Sequence, residues 1–592
     1  MFFLKWLRVI VAVFIFSAIA FLFVDLSEAA PESFSLLAAL QFIPLIFRGG
    51  VAGLLGVVLW IFLTFLFGRG YCSVFCPYGI TQDFIARVSK IGRWLFTRKV
   101  QKYSYRVALT KTRYGFLVLF GVGFVLMWKF GFAAVVVLLD PYSNFGRVGY
   151  SFFQPIVILG HNLLTVILLQ IDGGKSGFQL REVPFFASVF IVTIMMFVLV
   201  SILSFFYGRR YCNTICPVGT LLGIFSRYSL FRVRLNRSAC IKCGLCERVC
   251  KGECIDSKNQ AVDASRCVTC FNCFGVCRKN AIAYAPQILT SLTQKTQSAK
   301  MTAAFAETDI KRERRYFLTM SFLSILFPMI GSSAMRIEDD PYGISSDSES
   351  SVLPDSPMTT DAATIPPAAS AEATEAAEAV AGNGTISGVS RVSFSNDTIV
   401  LPPGAQSLEN FRSKCTSCHL CVSRCPAHVL KPYSLRSKKE GGADSGKISG
   451  FMQPSLHFDH HYCNRNCTVC GNVCPTNAIG QVTVAERELL QIGIVEFVKE
   501  NCVVYTQGTS CGACAEHCSN GAIEMVPYGD PDKHLTIPEV HQEFCIGCGG
   551  CESICPVYPY RAVYIKGVTV QKKAKLSYDP NEKQETIELN LG

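Results

Sequence analysis

Twenty-four of the chain's 29 cysteines fall into six blocks of four. Two blocks lie mid-chain: Cys240, Cys243, Cys246, Cys250 and Cys267, Cys270, Cys273, Cys277. Nearer the C-terminus come Cys415, Cys418, Cys421, Cys425 and Cys463, Cys467, Cys470, Cys474, and then a last pair, Cys502, Cys511, Cys514, Cys518 and Cys545, Cys548, Cys551, Cys555. A tight C-x2-C-x2-C loop supplies three thiolates to an iron–sulfur cubane and a more distant cysteine supplies the fourth. The arithmetic is that of six [4Fe–4S] clusters, and redox centres in series carry electrons. Disulfides predict irregular spacing in a small secreted domain, and a zinc site needs only one tetrahedral set.

In the interleaved bacterial pattern, Cys240, Cys243 and Cys246 share a cubane with Cys277, while Cys267, Cys270 and Cys273 share the other with Cys250. Among the C-terminal blocks the first and last are regular and the inner two are stretched, by Cys463-x3-Cys467 and Cys502-x8-Cys511. Like pairs with like on this reading, so the outer blocks exchange fourth ligands and so do the inner ones; sequential pairing is the alternative. Cys254 reads as a spare thiol. His419, His457, His460, His461 and His517 read as surface residues, since the cysteine count is already complete.

Four further cysteines belong to a repeat. Gly68-Arg69-Gly70-Tyr71-Cys72-x3-Cys76-Pro77-x-Gly79 recurs 140 residues later as Gly208-Arg209-Arg210-Tyr211-Cys212-x3-Cys216-Pro217-x-Gly219. Each copy comes after a long apolar run, so the two loops sit at equal depth. Together they offer four thiolates, enough for an extra metal centre or a redox dithiol pair. Reduced thiols in helix-end turns are the plain alternative.

The elements that position these groups begin with apolar runs at 9–24, 51–67, 114–138 and 184–207, near the ~20 residues of a spanning helix. The run at 35–47 is short and 151–170 is interrupted by Pro155, Gly160 and His161, so both read as interfacial or re-entrant. The loop 68–113 carries ten Lys/Arg and the single acid Asp83. Opposite loops are poorer in cations, which places the N-terminus, 68–113 and 208–310 in the cytoplasm. The formal net charge of +12 is thereby explained by topology, and no nucleic-acid partner is expected. Lys129 beside Trp128 reads as a snorkelling interfacial cation. Asp140, before Pro141, reads as the start of a turn outside the membrane.

Residues 311–335 begin with Lys-Arg-Glu-Arg314-Arg315-Tyr316-Phe317-Leu318 and continue into an apolar run. This resembles a twin-arginine export motif, or else starts a fifth span; in both cases the chain beyond residue 335 is translocated. Residues 336–404 are rich in Ser, Ala, Thr and Pro and read as a flexible tether. The expected organisation is multi-domain: a helical membrane domain at 1–225 (four spans), a two-cluster α+β ferredoxin module at 226–295, the signal or fifth span at 308–335, the tether, and a four-cluster ferredoxin module at 405–575.

On these motifs, residues 1–290 resemble the NapH-type membrane ferredoxins, through the paired Cys-x3-Cys-Pro loops, the basic loop and two trailing cluster blocks. Residues 311–570 resemble the exported NapG and MauM-type four-cluster ferredoxins. The fusion, the Cys463-x3-Cys467 spacing and the internal export signal depart from that pattern. The resemblance implies an inner-membrane, multi-pass quinol dehydrogenase component. It would draw on the quinone pool and deliver electrons to a periplasmic reductase, of the nitrate reductase kind, or to its cytochrome or ferredoxin subunit. A NosR- or MauN-like role in assembly or redox maintenance of a periplasmic metalloenzyme is the alternative.

Overall fold

The computed structural model describes residues 2–25, 32–97, 103–171, 180–286, 392, 398–432, 450–529, 532 and 534–575. The export-like segment at 308–335 and most of the tether fall outside the described residues.

The first part of the chain is helical because its sequence is apolar in long stretches with glycine at the breaks. In order come α1 (Phe2–Val24), α2 (Glu32–Ala39), α3 (Phe42–Arg48), α4 (Gly50–Phe67), α5 (Tyr71–Val74), α6 (Pro77–Thr97) and α7 (Thr110–Phe130). Next are α8 (Ala134–Leu139), α9 (Pro141–Val148), a π-helical turn Gly149–Phe153, α10 (Gln154–Ile171), α11 (Ala187–Tyr207), α12 (Arg210–Thr214) and α13 (Pro217–Ser226). Among the described residues five helical stretches are long and apolar enough to cross a membrane: Phe3–Val24, Gly50–Phe67, Thr110–Phe130, Pro141–Ile171 and Ala187–Tyr207.

Three expectations change. The 151–170 stretch is not broken but continues one 31-residue helix from Pro141, long and apolar enough to cross a membrane. Pro155 follows directly on the π-helical turn Gly149–Phe153, the irregularity at which this helix carries it. The run 114–138 is not one helix: Gly131, at φ 69°, ends α7, and α8 folds back so that its Val135 packs on Gly123. Asp140 is not in an outer turn. It is fully buried and caps α9, accepting hydrogen bonds from Tyr142 N, Ser143 N and Ser143 Oγ. Its neighbour Pro141 occupies the first helical turn, as a helix start favours.

Beyond the helices the strands are short and pair only in twos, all antiparallel. β1 (Phe231–Leu235) pairs with β4 (Ile282–Pro286), and β2 (Ile255–Asp256) with β3 (Ala261–Val262). In the second module β5 (Leu430–Pro432) pairs with β6 (Pro454–Leu456), β7 (Leu490–Phe497) with β10 (Val563–Lys573), and β8 (Ile523–Pro527) with β9 (Thr536–Val540). Two-stranded ribbons are marginal alone. The cores beneath them are built substantially from cysteine side chains. Val400 and Leu401 are buried in the second core, so that module extends N-terminal of residue 405.

The two modules attach at opposite ends of α1. Near its start, Arg8 bonds Asp83 and the Cys270 carbonyl of the first module. Just past its end, the buried Asp25 pairs with Arg424 of the second. Seventeen residues separate them, roughly 26 Å of helix at ~1.5 Å per residue, close to a hydrocarbon thickness of ~30 Å. The first module also meets the ends of α4 and α11, where Tyr284 donates to Phe67 O and Arg209 N to Lys251 O. The N-terminal end of α1, the 68–113 loop and the chain after 207 therefore share one end of the bundle, as charge asymmetry implied.

Candidate functional site

The regular cysteine blocks fold alike because their backbone repeats one unusual turn. Within each C-x2-C-x2-C loop the residue preceding the second cysteine and the one after it both have positive φ: Lys242 and Gly244, Thr269 and Phe271, Ser417 and His419, Gly547 and Gly549. Left-handed residues at those points curl the chain so that successive thiols and amides face one centre, as in an anion-binding nest. Gly547 N, for example, donates to Cys545 Sγ. The 29 cysteines form no disulfides, so these thiols are available as ligands.

The first module gathers its cysteines in the interleaved way. Cys240, Cys243, Cys246 and Cys277 line one cavity of about 160 Å³. Cys250 joins Cys267 and Cys270 around Cys273. Cys254 is buried, with its sulfur 3.5 Å from Cys250 Sγ, so the spare thiol is packed against the Cys250 group.

The second module overturns the like-with-like pairing. Cys415, Cys418, Cys421 and Cys474 line one cavity, and Cys518, Cys545, Cys548 and Cys551 another. Cys425 sits with Cys463, Cys467 and Cys470, and Cys555 with Cys502, Cys511 and Cys514. Pairing is sequential, first block with second and third with fourth. Stretching a loop changes its own path but not the fourth cysteine, which leaves each block toward its chain neighbour. The two pairs abut where Cys463 N donates to Cys548 O, so the four sets form a row with the Cys415 set at the membrane-domain end. There Gly146 approaches the Cys418 carbonyl so closely that a Cβ would lie 2.4 Å from it.

His419 is not a surface residue. It is 1% exposed, its Nε2 is 2.8 Å from Met452 O, and its ring meets Tyr150 edge-on. Burial pushes the imidazole down to about 3, leaving it neutral. The αL turn that shapes the Cys418–Cys421 loop also swings this side chain toward the helices, a signal that spacing alone does not carry.

The repeated loops converge. Cys72, Cys76, Cys212 and Cys216 are each no more than 5% exposed. All six pairs among them lie within electrostatic reach, and burial, the largest cause, pushes the Cys76 and Cys216 thiols up. The two motif arginines cross between the loops: Arg69 donates to Cys212 O and Arg209 to Cys72 O. Gly79 and Gly219 leave the necessary room, since a Cβ at either would run into that carbonyl and the crossing guanidinium. Both arginines are fully buried. Arg209 pairs with Asp83 at 2.9 Å, and Lys251 with the same carboxylate at 3.3 Å. Burial alone would raise Asp83, but Arg209, Lys251 and Arg8 outweigh it and hold the carboxyl well below its ordinary range. Lys129 Nζ lies 4.9 Å over the Trp128 ring.

Comparison with known proteins places these sets in a class. A family of "4Fe-4S binding domain" proteins matches residues 50–101 and 189–238, and a "4Fe-4S dicluster domain" matches 414–478 and 509–558. The chain therefore carries ferredoxin-type iron–sulfur domains together with a set of apolar helices. An uncharacterized Methanocaldococcus jannaschii protein is 33% identical over 124 residues, 21% of this chain and 45% of that protein. The ferredoxin-type protein MauM of methylamine utilization from Methylobacillus flagellatus is 29% identical over 168 residues, 27% of this chain and 64% of its own length. Ferredoxin-type protein NapG of Haemophilus influenzae is 31% identical over 194 residues, 31% of this chain and 65% of its own. The chain spans less than half of the first and just under two thirds of the other two. No solved structure matches.

Proposed function

We propose that this protein is a membrane-bound electron carrier that oxidises quinol and passes electrons through [4Fe–4S] clusters to a periplasmic redox partner. The observation that carries the reading is the docking of two ferredoxin modules on opposite ends of one apolar helix bundle, held by Arg8 and Asp25 on and just past the same helix. Six clusters are assigned to the thiol sets: Cys240/243/246/277, Cys250/267/270/273, Cys415/418/421/474, Cys425/463/467/470, Cys502/511/514/555 and Cys518/545/548/551. Each set gathers four cysteines that form no disulfide, the number a cubane takes. The clusters supply one-electron chemistry; the protein fixes their order, insulates them and hydrogen-bonds their sulfurs, as Arg487 does at Cys463 at 3.2 Å.

The charge-rich end of the bundle faces the cytoplasm on this reading, and the four-cluster module faces the periplasm. Similarity to NapG and MauM supports an exported redox partner. Its class is a reductase or the electron-transfer subunit that feeds one. Anaerobic titration of the purified full-length protein with menaquinol and ubiquinol, monitored by EPR, tests the reading. Reduction of cluster signals by quinol is expected; clusters that stay oxidised through the whole titration would sink it.

A further inference from the structure

The two modules stand too far apart for one tunnelling step, because tunnelling falls off exponentially across a gap near the bilayer's thickness. Between them lies the thiol quartet. One continuous apolar core contains Cys72, Cys76, Cys212 and Cys216, and packed against it are Cys270 of the first module and Cys418 of the second. On the second module's side the gap is filled by polar aromatic groups. Tyr78 and Tyr211 meet edge-on at 5.6 Å beside the quartet, and Tyr142 lies within reach of Cys418 and Cys474.

We propose that Cys72, Cys76, Cys212 and Cys216 ligate one further iron–sulfur cluster, a seventh, which relays electrons across the membrane domain between the two modules. The proposal rests on the electron-carrier reading and adds the missing step within it. Each transfer moves one electron: the Cys250/267/270/273 cluster is oxidised as the seventh is reduced, and the seventh is reoxidised as the Cys415/418/421/474 cluster is reduced. No bond forms and no proton moves, and the quinol of the proposed reaction is the reductant.

Three observations besides position support it. First, Arg69 is a fully buried cation whose contacts are Asn213 Oδ1, Ser265 O, Cys212 O and Cys72 Sγ. It forms no carboxylate ion pair among the described residues, and an unpaired buried charge is costly. A thiolate-ligated cluster carries net negative charge at that place. Second, the two loops reach each other's thiol ends directly. Arg69, which donates to Cys212 O of the second loop, also lies 3.8 Å from Cys72 Sγ of the first, and Gln82 Nε2, on the helix after the first loop, donates to Cys212 Sγ at 3.2 Å. Third, the cysteines within the two segments matched by the 4Fe-4S binding family, 50–101 and 189–238, are these four alone. Neither segment has enough thiols for a cubane, and the fold brings the two pairs together.

The test compares iron and acid-labile sulfide in the anaerobically purified full-length protein and its Cys76→Ser/Cys216→Ser variant. The variant is expected to lose about four iron atoms per chain while keeping the EPR signals of both modules. Equal iron in the two proteins overturns the proposal, as does a native disulfide among the four cysteines found by mass spectrometry. Should the variant fail to fold, the wild-type count still decides: about 28 iron atoms per chain for seven clusters, about 24 for six. Iron counting is blind to the donor, so a failed quinol titration and a failed seventh cluster are separate results. In proteoliposomes, a membrane-impermeant reductant is expected to reduce clusters on both faces of wild type and on one face of the variant.

Discussion

Asp83 is the electrostatic joint of the bundle end on which the first ferredoxin module docks, and replacing it with asparagine isolates its contribution. Its carboxylate holds Arg209, Lys251 and Arg8 at 2.9, 3.3 and 3.1 Å, which ties together the second repeat loop, the first ferredoxin module and α1. Asp83→Asn keeps the shape and removes the charge, leaving Arg209 fully buried without its carboxylate. Breaking a buried pair in this way costs about 3–5 kcal/mol. For a cooperative unit of about 150–250 residues that is a fall in the unfolding midpoint on the order of 10 °C. The assay is thermal unfolding in detergent, read by circular dichroism and by loss of cluster absorbance, with Asp83→Glu as the charge-retaining control. A pH series adds a signed check. Because the folded carboxyl lies below its ordinary range, its stabilisation is present above the usual carboxylate value of 3.8 and is lost as pH falls through and below it. The stability gap between wild type and Asp83→Asn should therefore narrow toward acid. A midpoint within about 1 °C of wild type at neutral pH, against the ~10 °C expected, would refute Asp83's role as the joint of these elements.

Two other expectations arise from close contacts. Gly146→Ala would place a Cβ 2.4 Å from the Cys418 carbonyl and 2.9 Å from Phe23, so it should loosen the second module. Gly160→Ala, which meets nothing within 4 Å, should not; cross-linking between the modules and the bundle measures the difference. Cys474→Ala should selectively alter the EPR signal assigned to the Cys415, Cys418 and Cys421 set, leaving that of the Cys502, Cys511 and Cys514 set unchanged. The reverse outcome would restore like-with-like pairing.

The blocks of cysteines, the apolar runs and the duplicated Gly-Arg-x-Tyr-Cys loops were all legible in the chain, because each depends on local spacing. Three thiols in C-x2-C-x2-C must face one centre once the two intervening left-handed residues turn the backbone. Gly68 and Gly208 each end a helix with positive φ and start matching loops, so equal depth could be read from the repeat. Long-range choices could not. Which block lends its fourth cysteine to which depends on how loops of different length pack, and spacing misdirected that reading. The burial of Asp140 and His419 arises from helices that fold back and from a module docking on them, contacts between residues far apart in sequence. The crossing of Arg69 and Arg209 between the repeats, and the meeting of four thiols between two ferredoxin modules, are tertiary facts. Sequence determines which atoms can bind metal; only the packed bundle decides that they meet, because convergence requires two distant segments to be buried against each other.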